Sequence, residues 1–367
     1  MEGLDSSMTL PLRRSVVTSA PGAGSRARLA AWSASAQYSL IQADTGCRWS
    51  IISKFWGFWP CPVGHRRAEM EKGECTMPDL IVVGVDGSVP GFDAVAWAAD
   101  DAFRMHVPLR NVCVVETWPY QVPQIPAPEW DEALIENAQK VLAQAEEIAR
   151  ERQPTVEVST ELMTGTPAAV LREQAGDAIE LVVGSRGLGG FAGAVLGSVS
   201  MNVAGQVPVP VVVVRPRAAV AHGEIVVGLD GSPTCEPALA YAFRQAELRG
   251  STLRAVYAWA LPFALAAGFS CDFEALREAQ QRVAEEQLAS WRERYPQVKV
   301  IADVRCAHPV DALAAAGDRA DLLVVGSHGR SAIGSIVLGS VSRGVLHHAH
   351  CTVTVVRAKD VPAPARR

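Results

Sequence analysis

Gly184, Gly187, Gly197 and Ser198 follow a spacing of Gly, two residues, Gly, nine residues, Gly-Ser, and Gly326, Gly329, Gly339 and Ser340 repeat it. Glycine leaves backbone N–H groups open to close approach by a phosphate. A helix start adds free N–H donors and a partial positive charge. Ser198 and Ser340 are placed to cap such a helix or to donate to a phosphate oxygen, with Ser200 and Ser342 further along it. One such loop alone reads equally well as two tight turns with an N-cap serine. Both copies keep the spacing while residues 188–194 of the first differ freely from 330–336 of the second. That retention points to a phosphate cradle in at least one copy.

The glycines belong to a larger duplication. Residues 81–88 (IVVGVDGS) return at 225–232 (IVVGLDGS) with seven of eight positions identical, and residues 181–200 return at 323–342 with 12 of 20 identical. The offsets are 144 and 142 residues, so order and spacing survive together. Solenoid repeats have periods of about 20–50 residues, so this is a doubled domain. Asp86 and Asp230 close the first block in each copy. They are ligand candidates, or they cap the following turn, a favoured place for Asp.

Alternating strands and helices must position these loops. Continuous apolar runs predict strands buried on both faces: 80–85, 112–116, 156–162, 180–184 and 209–214 in the first copy, and 225–229, 253–258, 298–304, 322–326 and 352–356 in the second. Helices are predicted between them, at 90–105, 130–151, 167–175, 198–205, 233–249, 273–294, 310–316 and 340–347. With no hairpin signals, each copy is α/β. The expectation is two tandem open parallel five-stranded sheets with right-handed crossovers and helices on both faces. In such sheets ligands sit beyond the carboxyl ends of the strands, where both glycine loops fall.

The 367 residues carry a net charge of −5 and no basic run, which speaks against nucleic acid or a membrane surface as partner. No apolar stretch reaches the roughly 18–20 residues of a membrane span. The eight cysteines form no C-x-x-C pair, and most of those after Met77 lie in apolar runs, as expected of free thiols in a reducing cytoplasm. His347, His348, His350 and Cys351 lack the spacing of a metal site. There is no Walker A pattern and no nucleophile elbow. Residues 1–76 hold four of the nine tryptophans, nine basic and six acidic residues and no sustained period. They read as a non-native or disordered extension. Domain one is expected at 77–217 and domain two at 218–367, with Met77 placed to start translation.

The chain resembles tandem universal stress proteins of the ATP-binding, UspA-like branch, which carries this Gly-2x-Gly-9x-Gly-(Ser/Thr) signature with an Asp after the first strand. The resemblance covers residues 79–358. It implies a Rossmann-like fold of the adenine nucleotide α-hydrolase type and ATP, with or without Mg²⁺, as ligand. Asp86 and Asp230 would serve the adenosine side. Gly184, Gly187, Gly197, Ser198, Gly326, Gly329, Gly339 and Ser340 would hold the phosphates. Thr117 and Ala258, at the end of the second strand of each copy, would line the adenine pocket. The implied role is a non-enzymatic stress sensor or regulator in the cytoplasm, read by a protein partner. A nucleotide-independent interaction protein and a slow ATP-hydrolysing or phosphoryl- or adenylyl-transfer enzyme are the alternatives. The last strand of each copy is an apolar edge, a surface that invites pairing. Pairing of the two copies within the chain is expected, and homodimerisation of isolated residues 77–217.

Overall fold

The computed structural model describes residues 79–116, 127–188, 196–216, 221–260, 272–329 and 338–357. The reading of residues 1–76 as an extension lies outside them. The first half runs β1 (Ile81–Gly84), α1 (Val89–Met105), β2 (Leu109–Val115), α2 (Ala127–Arg152), β3 (Val158–Thr164), α3 (Pro167–Gln174), β4 (Glu180–Gly184), α4 (Ser198–Val203) and β5 (Val211–Val214). The second runs β6 (Glu224–Leu229), α5 (Glu236–Arg249), β7 (Thr252–Trp259), α6 (Phe273–Arg294), β8 (Val300–Cys306), α7 (Pro309–Gly317), β9 (Leu322–Gly326), α8 (Ser340–His348) and β10 (Thr352–Val356).

Helix boundaries follow local chemistry. Ser88 caps α1 by accepting the Gly91 N–H at 3.1 Å, with a proline in the first turn. His106 closes α1 in the left-handed conformation at φ 57°, where the second copy uses Gly250 at φ 61°. At the start of α5 a 3₁₀ turn over Pro233–Cys235 precedes the α-helix, so the predicted helix from 233 begins in two pieces.

The strand order is β3-β2-β1-β4-β5-β10-β9-β6-β7-β8. Every neighbouring pair is parallel except β5 and β10, which run antiparallel with Val213 opposite Val353 and Val211 opposite Val355. The copies therefore do pair through their last strands, both fully buried. They join as one ten-stranded sheet, which corrects the expectation of two separate sheets. Edge-to-edge hydrogen bonding satisfies backbone groups that two stacked sheets would leave open.

One apolar layer lies under α1, α2, α5 and α6; the other lies under α3, α4, α7 and α8. Both contain residues of each half, so the core crosses the joint without a break. Fully buried side chains such as Ile81, Leu181, Ile225 and Leu323 each stabilise by about 1.5–3 kcal/mol. β2 begins at Leu109, earlier than predicted, because Arg110 and Asn111 interrupt the apolar run while Leu109 pairs with Ile81. β5 begins only at Val211: Pro210 has no N–H to offer the ladder, although its carbonyl accepts from Leu181 at 3.0 Å.

Candidate functional site

At the carboxyl ends of β1 and β4 the two loops of the first copy that the second repeats are clasped by one side chain. Asp86 Oδ1 accepts from the Ser88 N–H at 3.0 Å and from its hydroxyl at 2.6 Å. Asp86 Oδ2 accepts from the Leu188 N–H at 3.0 Å, on the loop after β4. In the second copy Asp230 Oδ1 accepts from the Ser232 N–H at 2.9 Å and its hydroxyl at 2.6 Å. A Cβ on Gly329 would stand 3.1 Å from Asp230 Oδ2, so the same two loops meet there. Ser88 and Ser232, as partners of the aspartates, were legible in the repeated Asp-Gly-Ser but not singled out.

The glycines divide by what requires them. A Cβ on Gly184 would sit 2.6 Å from the Pro90 carbonyl oxygen, so the close approach of β4 to α1 excludes any side chain. At Gly187 it would lie 2.4 Å from Asp86 Oδ2. Gly197 is different: its φ of −76° suits any residue, and a Cβ there would meet nothing nearer than 3.4 Å. Neither backbone nor neighbours demand glycine at Gly197. The missing side chain leaves room above the loop.

That room is a cavity of about 720 Å³ lined by Asp86, Gly91, Val112, Val114, Leu171 and the loop from Gly184 to Leu188 with Gly197 to Met201. The second copy has one of about 260 Å³ lined by Asp230, Cys235, Val256, Ala258, Leu313 and the equivalent glycine loop. The structure thus brings together Asp86, Gly184, Gly187, Gly197, Ser198 and Ser200 in one half, and Asp230, Ala258, Gly326, Gly329, Gly339, Ser340 and Ser342 in the other. Sheet register makes Val114 the counterpart of Ala258, because Gly84 pairs with Val112 and Gly228 with Val256. Thr117, offered as that counterpart, is three positions further on and outside the described residues.

Helices α4 and α8 start at Gly197 and Gly339 with no side-chain cap. The Gly197 and Gly339 N–H groups donate to the Ser185 and Ser327 carbonyls at 2.7 and 2.8 Å. Ser198 and Ser340 are exposed at the cavity mouth. Ser200 and Ser342 are buried, and their hydroxyls donate to the Gly184 and Gly326 carbonyls at 2.6 and 2.5 Å. Those protons are committed to tying helix to strand, so these two serines position the cradle and do not donate into it.

Charge and polarity differ between the halves. Arg186 of the first loop is exposed, and its place is taken in the second by His328. His328 Nδ1 lies 3.0 Å from the Ser327 hydroxyl, and its Nε2 is buried with no hydrogen-bond partner among the described residues. Gly91 is replaced by Cys235, whose buried thiol donates to the Gly228 carbonyl at 3.2 Å. Burial, then the nearby Asp230 carboxylate, pushes that thiol up to about 12. Burial with Asp86 beyond it pushes Cys113 up to about 11. Both stay protonated near neutrality, when a nucleophile must be a thiolate. Among the described residues no group of three or more His, Cys, Asp or Glu is placed to hold a metal, and no helix is long and apolar enough to cross a membrane.

The universal stress protein family model matches residues 77–215 and again 222–357. The universal stress protein Rv2005c of Mycobacterium tuberculosis is 38% identical over 291 residues, spanning 76% of this chain and 96% of that relative. Universal stress protein Rv1996 of the same organism is 35% identical over 305 residues, 77% of this chain and 96% of the relative. A crystal structure of a universal stress protein from Archaeoglobus fulgidus shares the fold at a TM-score of 0.58 and 20% identity, over 76% of this chain and 96% of that one. With both halves matched in turn, the chain belongs to the universal stress protein family, as a tandem member.

Proposed function

We propose that the chain binds ATP or a related adenine nucleotide at the carboxyl ends of its strands and acts as a regulator in stress adaptation, read by a protein partner and not turning over a substrate. The observation that carries this reading is the space above Gly197. A glycine that nothing in the protein requires opens onto a cavity of about 720 Å³, within the range of about 300–1,000 Å³ usual for small-molecule sites. The phosphates would lie against Gly184, Gly187, Gly197 and Ser198, where α4 begins uncapped; Gly326, Gly329, Gly339 and Ser340 would do the same in the second half. Asp86 and Asp230 organise the loops, and the apolar wall of Val112, Val114 and Leu171 suits a base. Mg²⁺, where present, would arrive on the phosphates, since the described residues supply no acidic cluster for it.

The test is mass spectrometry of small molecules released by denaturing the purified protein, with the Gly197→Val, Gly339→Val and double variants beside the natural chain. Each single change is expected to lose its own half's nucleotide, and the double change nearly all of it. Unchanged stoichiometry in the double variant would sink the reading, and ATP turnover at tens per second would favour an enzyme.

A further inference from the structure

The joint between the halves holds a polar cluster whose members are unlike across the repeat. At the helix offset, Trp97 corresponds to Tyr241, Asp101 to Gln245 and Met105 to Arg249; on the strands, Glu180 of β4 corresponds to Leu322 of β9. The acids come from the first half and are almost completely enclosed: Asp101 is 0% and Glu180 1% exposed. Asp101 Oδ1 accepts from Arg104 Nη1 at 2.7 Å and from Arg249 Nη2 of the other half. Arg249 Nε donates to Gln245 Oε1 at 2.8 Å, and its guanidinium stacks 4.5 Å above the Trp97 ring. Tyr241 Oη donates to Glu180 Oε2 at 2.8 Å, and Gln245 Nε2 reaches Tyr241 Oη at 3.3 Å.

We infer that this cluster makes the halves obligate unlike partners: each is built to dock on the other, and neither on a second copy of itself. Repeat equivalents Asp101 and Gln245 face one another at 3.5 Å across the joint, so the pseudo-two-fold axis passes between them. Placing two first halves on that axis sets Asp101 against Asp101, puts Met105 where Arg249 belongs and puts Trp97 where Tyr241 meets Glu180. Four buried carboxyls would then share only the two Arg104 side chains. Two second halves would bury both Arg249 guanidiniums with no carboxylate, and Leu322 would replace Glu180 opposite Tyr241. Uncompensated buried charge is strongly destabilising. The short linker raises the effective concentration of one half for the other, but it does not choose between like and unlike pairing when many chains are present. The cluster does, and it reverses the expectation that isolated residues 77–217 form homodimers.

The test uses the full chain, refolded from urea at high concentration. The natural chain should regain by light scattering the mass it had before unfolding. Asp101→Gln with Glu180→Leu gives the first half the residues of the second at both acidic positions. It should refold partly into two-chain and larger species in which like halves pair between chains. Equal amounts of larger species from both proteins, or none from the variant, would overturn the inference. A second measurement needs only the native fold: Asp101→Gln, Arg249→Met and the two together. Each single change should raise the unfolding equilibrium constant on the order of a hundredfold. The double variant should raise it by at least about tenfold less than the product of the two; strict multiplication would mean that the pair is not coupled and the inference fails.

Discussion

Asp86 and Gly187 exist for one another. The carboxylate that holds the Leu188 N–H at 3.0 Å occupies the place where a Cβ on residue 187 would stand 2.4 Å away. The glycine is thus required by the clasp, and the clasp fixes the loop that follows β4.

Gly187→Ala should force Asp86 off the Leu188 N–H and Asp86→Ala should leave it unpaired. Each is expected to cost about 1–2 kcal/mol, a hydrogen-bond-scale loss, and to weaken nucleotide binding by the first half. Urea midpoints and nucleotide content of the two variants check this. Gly197→Val should lose ligand at a smaller cost in stability, about 0.5–1 kcal/mol, because a Cβ there meets backbone only at ordinary contact distances of 3.4 Å and beyond and the loss is that of an apolar N-cap residue.

Glu180 gives a pH dependence of definite sign. Burial raises its carboxyl from 4.5 to about 8, with the charge of Asp101 adding to the effect and Tyr241, Arg249 and Arg244 opposing it. The folded chain therefore holds this proton more tightly than the unfolded chain. The group's contribution is fully present below about pH 4.5 and is lost as pH rises towards 8. Glu180→Gln should flatten the fall in stability across that window. An unchanged slope in urea titrations from pH 5 to pH 8 would rule Glu180 out as its source.

Cys235 is expected to set the smaller size of the second cavity, about 260 Å³ against 720 Å³, because it stands where the first half has Gly91. Cys235→Gly should raise nucleotide affinity in the second half, measured by calorimetry in the Gly197→Val background so that only that half reports. No change there would show that the thiol does not limit the site.

Native alkylation should separate the thiols. Cys306 is exposed, whereas Cys113 and Cys235 are buried and held protonated. Peptide mapping after brief treatment at pH 8 should find label on Cys306 and at least about tenfold less on the other two. Prompt labelling of Cys235 would mean that the 3₁₀ turn ahead of α5 opens.

Much of this was legible because it is local. Strand runs such as 322–326, and the Gly-Ser helix starts at 197 and 339, carry their signal within a few residues. The Asp86 clasp was not: Leu188 lies 102 residues away, and nothing in Asp-Gly-Ser names it. The polar cluster was hidden for another reason. Asp101 and Gln245 sit on amphipathic helices where a polar residue reads as solvent-facing, and only the joining of the sheet edges buries them. The counterpart of Ala258 was hidden in register: the pairing of Gly84 with Val112 and of Gly228 with Val256 makes it Val114, and no feature of the sequence around Thr117 shows that shift.

The antiparallel contact of Val213 with Val353 carries a geometric result of its own. Within each half all strands run one way, so reversing direction at the joint sends the carboxyl ends of the two halves to opposite rims of the sheet. The two mouths face away from each other. A single flat partner surface can then cover one of them only, and a chain with both mouths occupied presents two separately addressable faces, the layout of a bridge with a landing at each end.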